Sequence, residues 1–134
     1  MHVNSTVPLR VLIADDHGLM REAIADCLSR RGFNIVGKAE SGPETIRLVQ
    51  DLKPDVALVD ISMPNMDGIE TTRGIVRAAP NVRVIGFSLR DDPETVSRMK
   101  KAGAVAHISK GAPLHELVEL IRRVGGHPCE QFVR

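Results

Sequence analysis

Two short apolar runs in this chain each end abruptly in acid. Val56-Ala57-Leu58-Val59 is closed by Asp60, and Val11-Leu12-Ile13-Ala14 by Asp15 and Asp16. Four apolar residues in a row, here bounded by Pro54 and Pro64, suit a strand buried on both faces, as in a parallel sheet. A carboxylate at the end of such a strand contributes nothing to packing. In open parallel sheets the carboxyl ends of the strands form one rim, and ligands bind there. The stretch from Asp55 to Gly68 (DVALVDISMPNMDG) therefore presents Asp60 on that rim, facing solvent, beside a loop from Ser62 to Met66. A helix follows, with Asp67 as N-cap and Glu70 three residues on as its capping-box partner.

The rest of the chain alternates in the same way. From His17 to Arg31 the residues Met20, Ala23, Ile24, Cys27 and Leu28 recur at helical spacing, and Gly32 is placed to end the helix. Phe33 to Ala39 is a weaker second strand. Ser41-Gly42-Pro43-Glu44 opens a helix as a capping box with proline in its first turn, and that helix runs to about Leu52. After the central strand come a helix from Gly68 to Ala79 and a fourth strand from Val82 to Ser88. Asp92-Pro93 starts the next helix and Gly103 ends it. A short fifth strand spans Val105 to Ile108. Pro113 opens a last helix with Leu114, Leu117, Val118 and Ile121 on one face, and Gly125-Gly126-His127-Pro128 breaks it. Five strands alternating with five helices through short connections predict an α/β fold. Its sheet is parallel and doubly wound, with right-handed crossovers and helices on both faces. Residues 1–8 read as a lead-in, 9–124 as one domain, and 125–134 as a tail or the start of a linker.

Composition excludes several classes. A net charge of +1 gives no basic footprint for nucleic acid, and 2% aromatics without Trp or Tyr leave no base-stacking platform. No run approaches the length of a membrane span, and MHVNSTVP lacks the apolar core of a signal peptide. Cys27 and Cys129 have no metal or redox spacing, and Cys27 reads as a reduced core thiol. A cytoplasmic protein is expected.

The strand ends carry chemistry to one rim: Asp15 and Asp16 after the first, Asp60 at the third, Ser88 at the fourth, Lys110 after the fifth. Singly, Asp15-Asp16 reads as a helix cap with a solvated acid, Ser88 as a loop hydroxyl, and Lys110 as a surface charge. His17 reads as structural or exposed. Met63, Met66 and Met99 read as packing. Arg73 and Arg77, and Arg90, Asp91, Asp92, Arg98, Lys100 and Lys101, read as solvated faces. Together the strand-end residues say more. Three clustered carboxylates repel and raise one another's pKa. A hard divalent cation makes the cluster favourable, and Mg²⁺ needs only two or three carboxylates, a carbonyl and water. A carboxylate nucleophile beside Mg²⁺, a lysine and a hydroxyl makes a phosphoryl-transfer site that forms an aspartyl phosphate.

With these residues the sequence resembles the receiver domain of bacterial two-component response regulators. The resemblance lies in the acidic pair of LIADDH, the Asp of VDISMPNMDG, the Ser of IGFSLRDD and the Lys of GAVAHISK, in order, and covers about Leu9 to Val124. The opening DDHGLMREAIADCL is similar to the NarL/FixJ-type subfamily, whose members usually continue into a helix-turn-helix DNA-binding domain. The resemblance implies a flavodoxin-like strand order, 2-1-3-4-5. It implies that Asp60 is the phosphoacceptor, served by a sensor histidine kinase, with loss of the phosphoryl group by autodephosphorylation rather than conventional enzyme turnover. Asp15 or Asp16, with Asp60 and the backbone carbonyl of Ser62, would bind Mg²⁺, and Asp16 is favoured as the direct ligand. Ser88 and Lys110 would bind the phosphoryl group, and Ser88 and His107 would form the switch. The change would reach the face made by helix 4, strand 5 and helix 5. That face, or helices 1 and 5, would pair copies of the chain. No membrane contact and no direct nucleic-acid contact are implied for this segment. DNA would be met through a C-terminal domain outside it.

Three positions depart from the family's commonest pattern. His107 stands where Tyr or Phe is usual, Leu89 follows Ser88 where a small residue is usual, and Gly111 replaces the proline that often follows the lysine. The alternatives are a stand-alone receiver acting by protein contact and an Asp-nucleophile phosphatase. The second needs an acid two residues after the nucleophile, where this chain has Ser62. A nucleotide- or flavin-binding domain ranks last, because no G-x-G-x-x-G follows the first strand.

Overall fold

The computed structural model describes residues 7–89 and 92–126. Arg90, Asp91, His127, Pro128, Cys129 and the rest of the expected tail lie outside the described residues, as does most of the expected lead-in. Ten elements alternate: β1 (Arg10–Ala14), α1 (Gly18–Arg30), β2 (Asn34–Ala39), α2 (Gly42–Leu52), β3 (Val56–Asp60), α3 (Gly68–Ala78), β4 (Arg83–Ser88), α4 (Pro93–Ala102), β5 (Ala106–Ser109) and α5 (Leu114–Gly125). All pairings are parallel, in the order β2-β1-β3-β4-β5. The expected fold and strand order are those observed. Bounds differ by a residue or so: β5 starts at Ala106 and includes Ser109, and α5 runs through Gly125.

The apolar runs are central strands buried on both faces, and their alternate residues feed two cores. Val11, Ile13, Leu58 and Ile85 pack with Ile24 and Leu28 of α1 and Leu117, Val118 and Ile121 of α5. Leu12, Ala57, Val59 and Val84 pack on the other face with Val49 of α2, Ile75 of α3 and Met99 of α4. Each fully buried Leu, Ile or Val contributes roughly 1.5–3 kcal/mol by leaving water. The α1 pattern is less deep than its spacing suggests: Ala23 is exposed and Cys27 only half-buried.

The helix starts hold as read. Ser41 Oγ accepts the Glu44 N–H at 3.3 Å, Asp67 Oδ1 the Glu70 N–H at 2.9 Å, and Asp92 Oδ2 the Thr95 N–H at 3.1 Å. The return bond of the first box is displaced: Glu44 Oε1 accepts the N–H of Glu40, not that of Ser41. Gly32, at φ 94°, follows the α1 cap Arg31, and Gly103, at φ 123°, caps α4. No helix among the described residues is long and apolar enough to cross a membrane.

Candidate functional site

β1 and β3 are hydrogen-bonded neighbours with Ala14 opposite Val59, so the residues that follow, Asp15 and Asp60, stand level at the rim. Carboxylate oxygens of Asp15, Asp16 and Asp60 lie within 4.8 Å of one another. Lys110 enters from beyond β5, and its Nζ lies 3.0 Å from Asp15 Oδ2 and 3.3 Å from Asp60 Oδ2. The same Nζ is 5.4 Å from the centre of the Phe87 ring, a cation–π distance. Lys110 is thus not a surface charge: its side chain is 8% exposed.

One expectation needs correcting. Asp60 does not face solvent; it is 3% exposed, while Asp16 alone of the three acids is exposed. The loop after β3 folds back over the strand end. The Ser62 N–H donates to Asp60 Oδ1 at 3.1 Å, and the Gly68 N–H donates to the Ile61 carbonyl at 2.8 Å. Only glycine permits this closure, because a Cβ on residue 68 would stand 2.5 Å from Ile61 Cα and 2.7 Å from the Asp60 carbonyl oxygen. Burial pushes the Asp60 carboxyl up to about 6; the Ser62 N–H opposes the rise, the Asp15 charge adds to it, and Lys110 pulls it down.

Asp15 is fully buried and is held at its N–H, its carbonyl and one carboxylate oxygen. Its N–H donates to Ala39 at 2.9 Å, its Oδ1 accepts the His17 N–H at 2.9 Å, and its carbonyl accepts Arg21 Nη1 at 2.7 Å. Its Oδ2 faces the Lys110 ammonium without a well-aligned hydrogen bond. Three carboxylates, one of them exposed, and a buried carboxylate oxygen lacking an aligned donor are a donor set that fits a hard divalent cation.

Ser88 ends β4 and is buried; its carbonyl accepts the Lys110 N–H at 2.7 Å. Its Oγ lies 3.3 Å from Nε2 of His107 on β5. His107 fits there because Gly86 lies opposite: a Cβ on residue 86 would meet His107 Nδ1 at 2.6 Å and Met99 Cε at 2.9 Å. Leu89 is exposed, as is His17. Met63 and Met99 are buried packing residues, and Met66 is half-buried. Arg21, which bonds the Asp15 carbonyl, is marked by no motif in the sequence. Its only signal is position: it follows Asp15 by six residues, in the first turn of α1, where a long side chain can reach back to the strand end.

A doubly wound, flavodoxin-like sheet with an acidic centre at its carboxyl rim defines the class. A family model described as the response regulator receiver domain matches residues 11–122. The chain belongs to the response-regulator receiver family of two-component signalling. Receiver domains are phosphorylated by sensor histidine kinases and generally bind Mg²⁺ at an acidic pocket. The chain is 39% identical over 117 residues to the response regulator GacA of Pseudomonas viridiflava, covering 87% of this chain and 55% of GacA. It is 34% identical over 117 residues to the transcriptional regulatory protein DegU of Brevibacillus brevis, covering 87% of this chain and 50% of DegU. Among solved structures, the signal receiver domain of NarL from Mycobacterium tuberculosis matches with a TM-score of 0.83 and 33% identity, covering 89% of this chain and 97% of that one. The chain spans about half the length of the curated relatives it matches. These relatives are of the NarL/FixJ type.

Proposed function

We propose that this domain is a phosphorylation-controlled switch in which Asp60 accepts a phosphoryl group from a sensor histidine kinase. The observation that carries the reading is the convergence of three carboxylates within 4.8 Å, with the Lys110 ammonium against two of them. An Asp60 oxygen attacks phosphorus, the bond from phosphorus to the donor imidazole nitrogen breaks, and that nitrogen keeps the electron pair. Lys110 and Ser88 meet the phosphoryl oxygens, one as a cation and one as a hydrogen-bond donor. Asp16, Asp15, Asp60 and the Ser62 carbonyl would hold Mg²⁺, which neutralises charge on the transferring group. Hydrolysis by attack of water on phosphorus returns Asp60 and releases inorganic phosphate.

The phosphoryl group adds roughly two negative charges and three acceptor oxygens. Drawing Ser88 toward one oxygen disturbs its contact with His107, and the disturbance spreads to the face of α4, β5 and α5. Self-association through that face, or through α1 and α5, is the expected readout. Control of transcription belongs to a DNA-binding domain outside this chain, and the setting is cytoplasmic. The reading is tested with Mg²⁺ and a small-molecule phosphodonor: the intact mass should rise by one phosphoryl group, and chelation of Mg²⁺ should prevent it. Labelling that ignores chelation would remove the metal from the account.

A further inference from the structure

We infer that Arg21 is a positioning residue that aims the Asp16 carboxylate at the divalent cation. The inference rests on the metal site proposed above. β1 leaves the sheet at Asp15: the N–H of that residue still pairs with Ala39, at 2.9 Å, but its carbonyl is the first beyond the strand. Asp15 is fully buried, so that carbonyl needs a partner from the protein. Arg21 supplies it. Its Nη1 donates to the Asp15 oxygen at 2.7 Å, and its side chain is only 17% exposed.

The consequence falls on Asp16. The carbonyl of Asp15 and the nitrogen of Asp16 share one planar peptide unit, so pinning the oxygen fixes the plane from which Asp16 departs. Two further bonds close the turn. Asp15 Oδ1 accepts the His17 N–H at 2.9 Å, and the His17 carbonyl accepts the Arg21 N–H at 2.9 Å. Asp16 is exposed, and among the described residues no hydrogen bond or ion pair to its carboxylate is seen. Its direction is therefore set by its backbone, and Arg21 sets the backbone. A planar guanidinium fork suits this better than an ammonium, because its donors are fixed relative to one another.

A bystander role predicts the opposite sign. A cation beside three carboxylates repels a metal ion, so removing a bystander would tighten metal binding. Removing a positioning group loosens it. The test is an NMR titration of the unphosphorylated protein with Mg²⁺, for wild type, Arg21→Met, Arg21→Lys and Asp16→Ala. Arg21→Met should bind Mg²⁺ about tenfold more weakly, equivalent to about 1.4 kcal/mol, with Arg21→Lys in between. Without metal, amide exchange at Asp16 and His17 should quicken in Arg21→Met while Leu58 and Val59 stay protected. At saturating Mg²⁺ the rate of phosphorylation should return to within about twofold of wild type, a loss in affinity rather than in turnover. If Arg21→Met does not fold, Arg21→Lys carries the comparison. Unchanged or tighter Mg²⁺ binding in the folded Arg21 variants, with binding lost in Asp16→Ala, overturns the role of Arg21 and leaves the metal site standing. Absence of Mg²⁺ binding by the wild type overturns both.

Discussion

Ser88 Oγ and His107 Nε2 stand 3.3 Å apart across the β4–β5 pair. Gly86 lies opposite His107 in the ladder, so the imidazole occupies the space over a residue without a side chain and reaches along to Ser88. The hydroxyl proposed to meet the phosphoryl group therefore already touches the residue proposed to carry the change onward. A shared hydroxyl is a two-state element of the kind that a local charge can bias.

Filling that slot should be costly. Gly86→Ala puts a methyl 2.6 Å from His107 Nδ1 and 2.9 Å from Met99 Cε, and should destabilise the fold by about 1–3 kcal/mol. His107→Ala should recover part of the loss, so the double variant should be less unstable than the sum of the two. Urea unfolding of the four proteins measures this. Strict additivity would show that the ring does not occupy the slot.

Relay from Ser88 should be visible by NMR when the unphosphorylated protein is treated with beryllofluoride, which mimics a phosphoryl group. Chemical shifts should move at His107 and along Val96 to Leu120. Shifts confined to the loops around Asp16, Asp60 and Ser88 would show that His107 transmits nothing.

Asp60 makes stability depend on pH. Its carboxyl is raised from the ordinary value of 3.8 to about 6, so the folded state disfavours the ionised form. That penalty is present in full above about pH 6, shrinks as pH falls through the window from 6 toward 3.8, and is absent below it. In metal-free buffer Asp60→Asn should therefore melt several degrees above wild type near pH 8, with the gain fading toward pH 4. Asp16→Ala should stabilise less, because Asp16 is exposed. A constant difference between Asp60→Asn and wild type across the range would contradict the assignment.

Lys110 couples the fold to the site. Lys110→Ala leaves Asp15 and Asp60 buried and facing each other without their cation, and breaking a buried pair costs about 3–5 kcal/mol. Unfolding should show a loss of that order at neutral pH, smaller near pH 5, where Asp60 can take a proton. The variant should still accept some phosphoryl group, since Asp60 and the metal ligands remain, and should fail to show the wild-type shifts in α4 and β5. Wild-type shifts in phosphorylated Lys110→Ala would remove Lys110 from the relay.

The fold was legible because its strands are unambiguous. Val11–Ala14 and Val56–Val59 are too short and too apolar for surface helices, and each stops at an acid. Parallel alternation then carries Asp15, Asp16, Asp60, Ser88 and Lys110 to one rim without knowledge of any distance. What escaped depends on tertiary closure. The burial of Asp60 comes from the loop folding back to Gly68, a contact that periodicity does not encode. The half-exposed Cys27 and exposed Ala23 lie on an α1 face that its spacing alone made too deep. Arg21 was one cation among 18 Lys and Arg residues, and only the turn at Asp15 distinguishes it.

The central claim is that Asp60 is the phosphoacceptor. Wild type and Asp60→Asn, both confirmed as folded, are incubated with Mg²⁺ and a small phosphodonor, and their intact masses are followed over time. Wild type should gain one phosphoryl group, stable in acid and lost in base as an acyl phosphate is, and Asp60→Asn should gain none. Full labelling of Asp60→Asn, or a base-stable product on the wild type, would contradict the account.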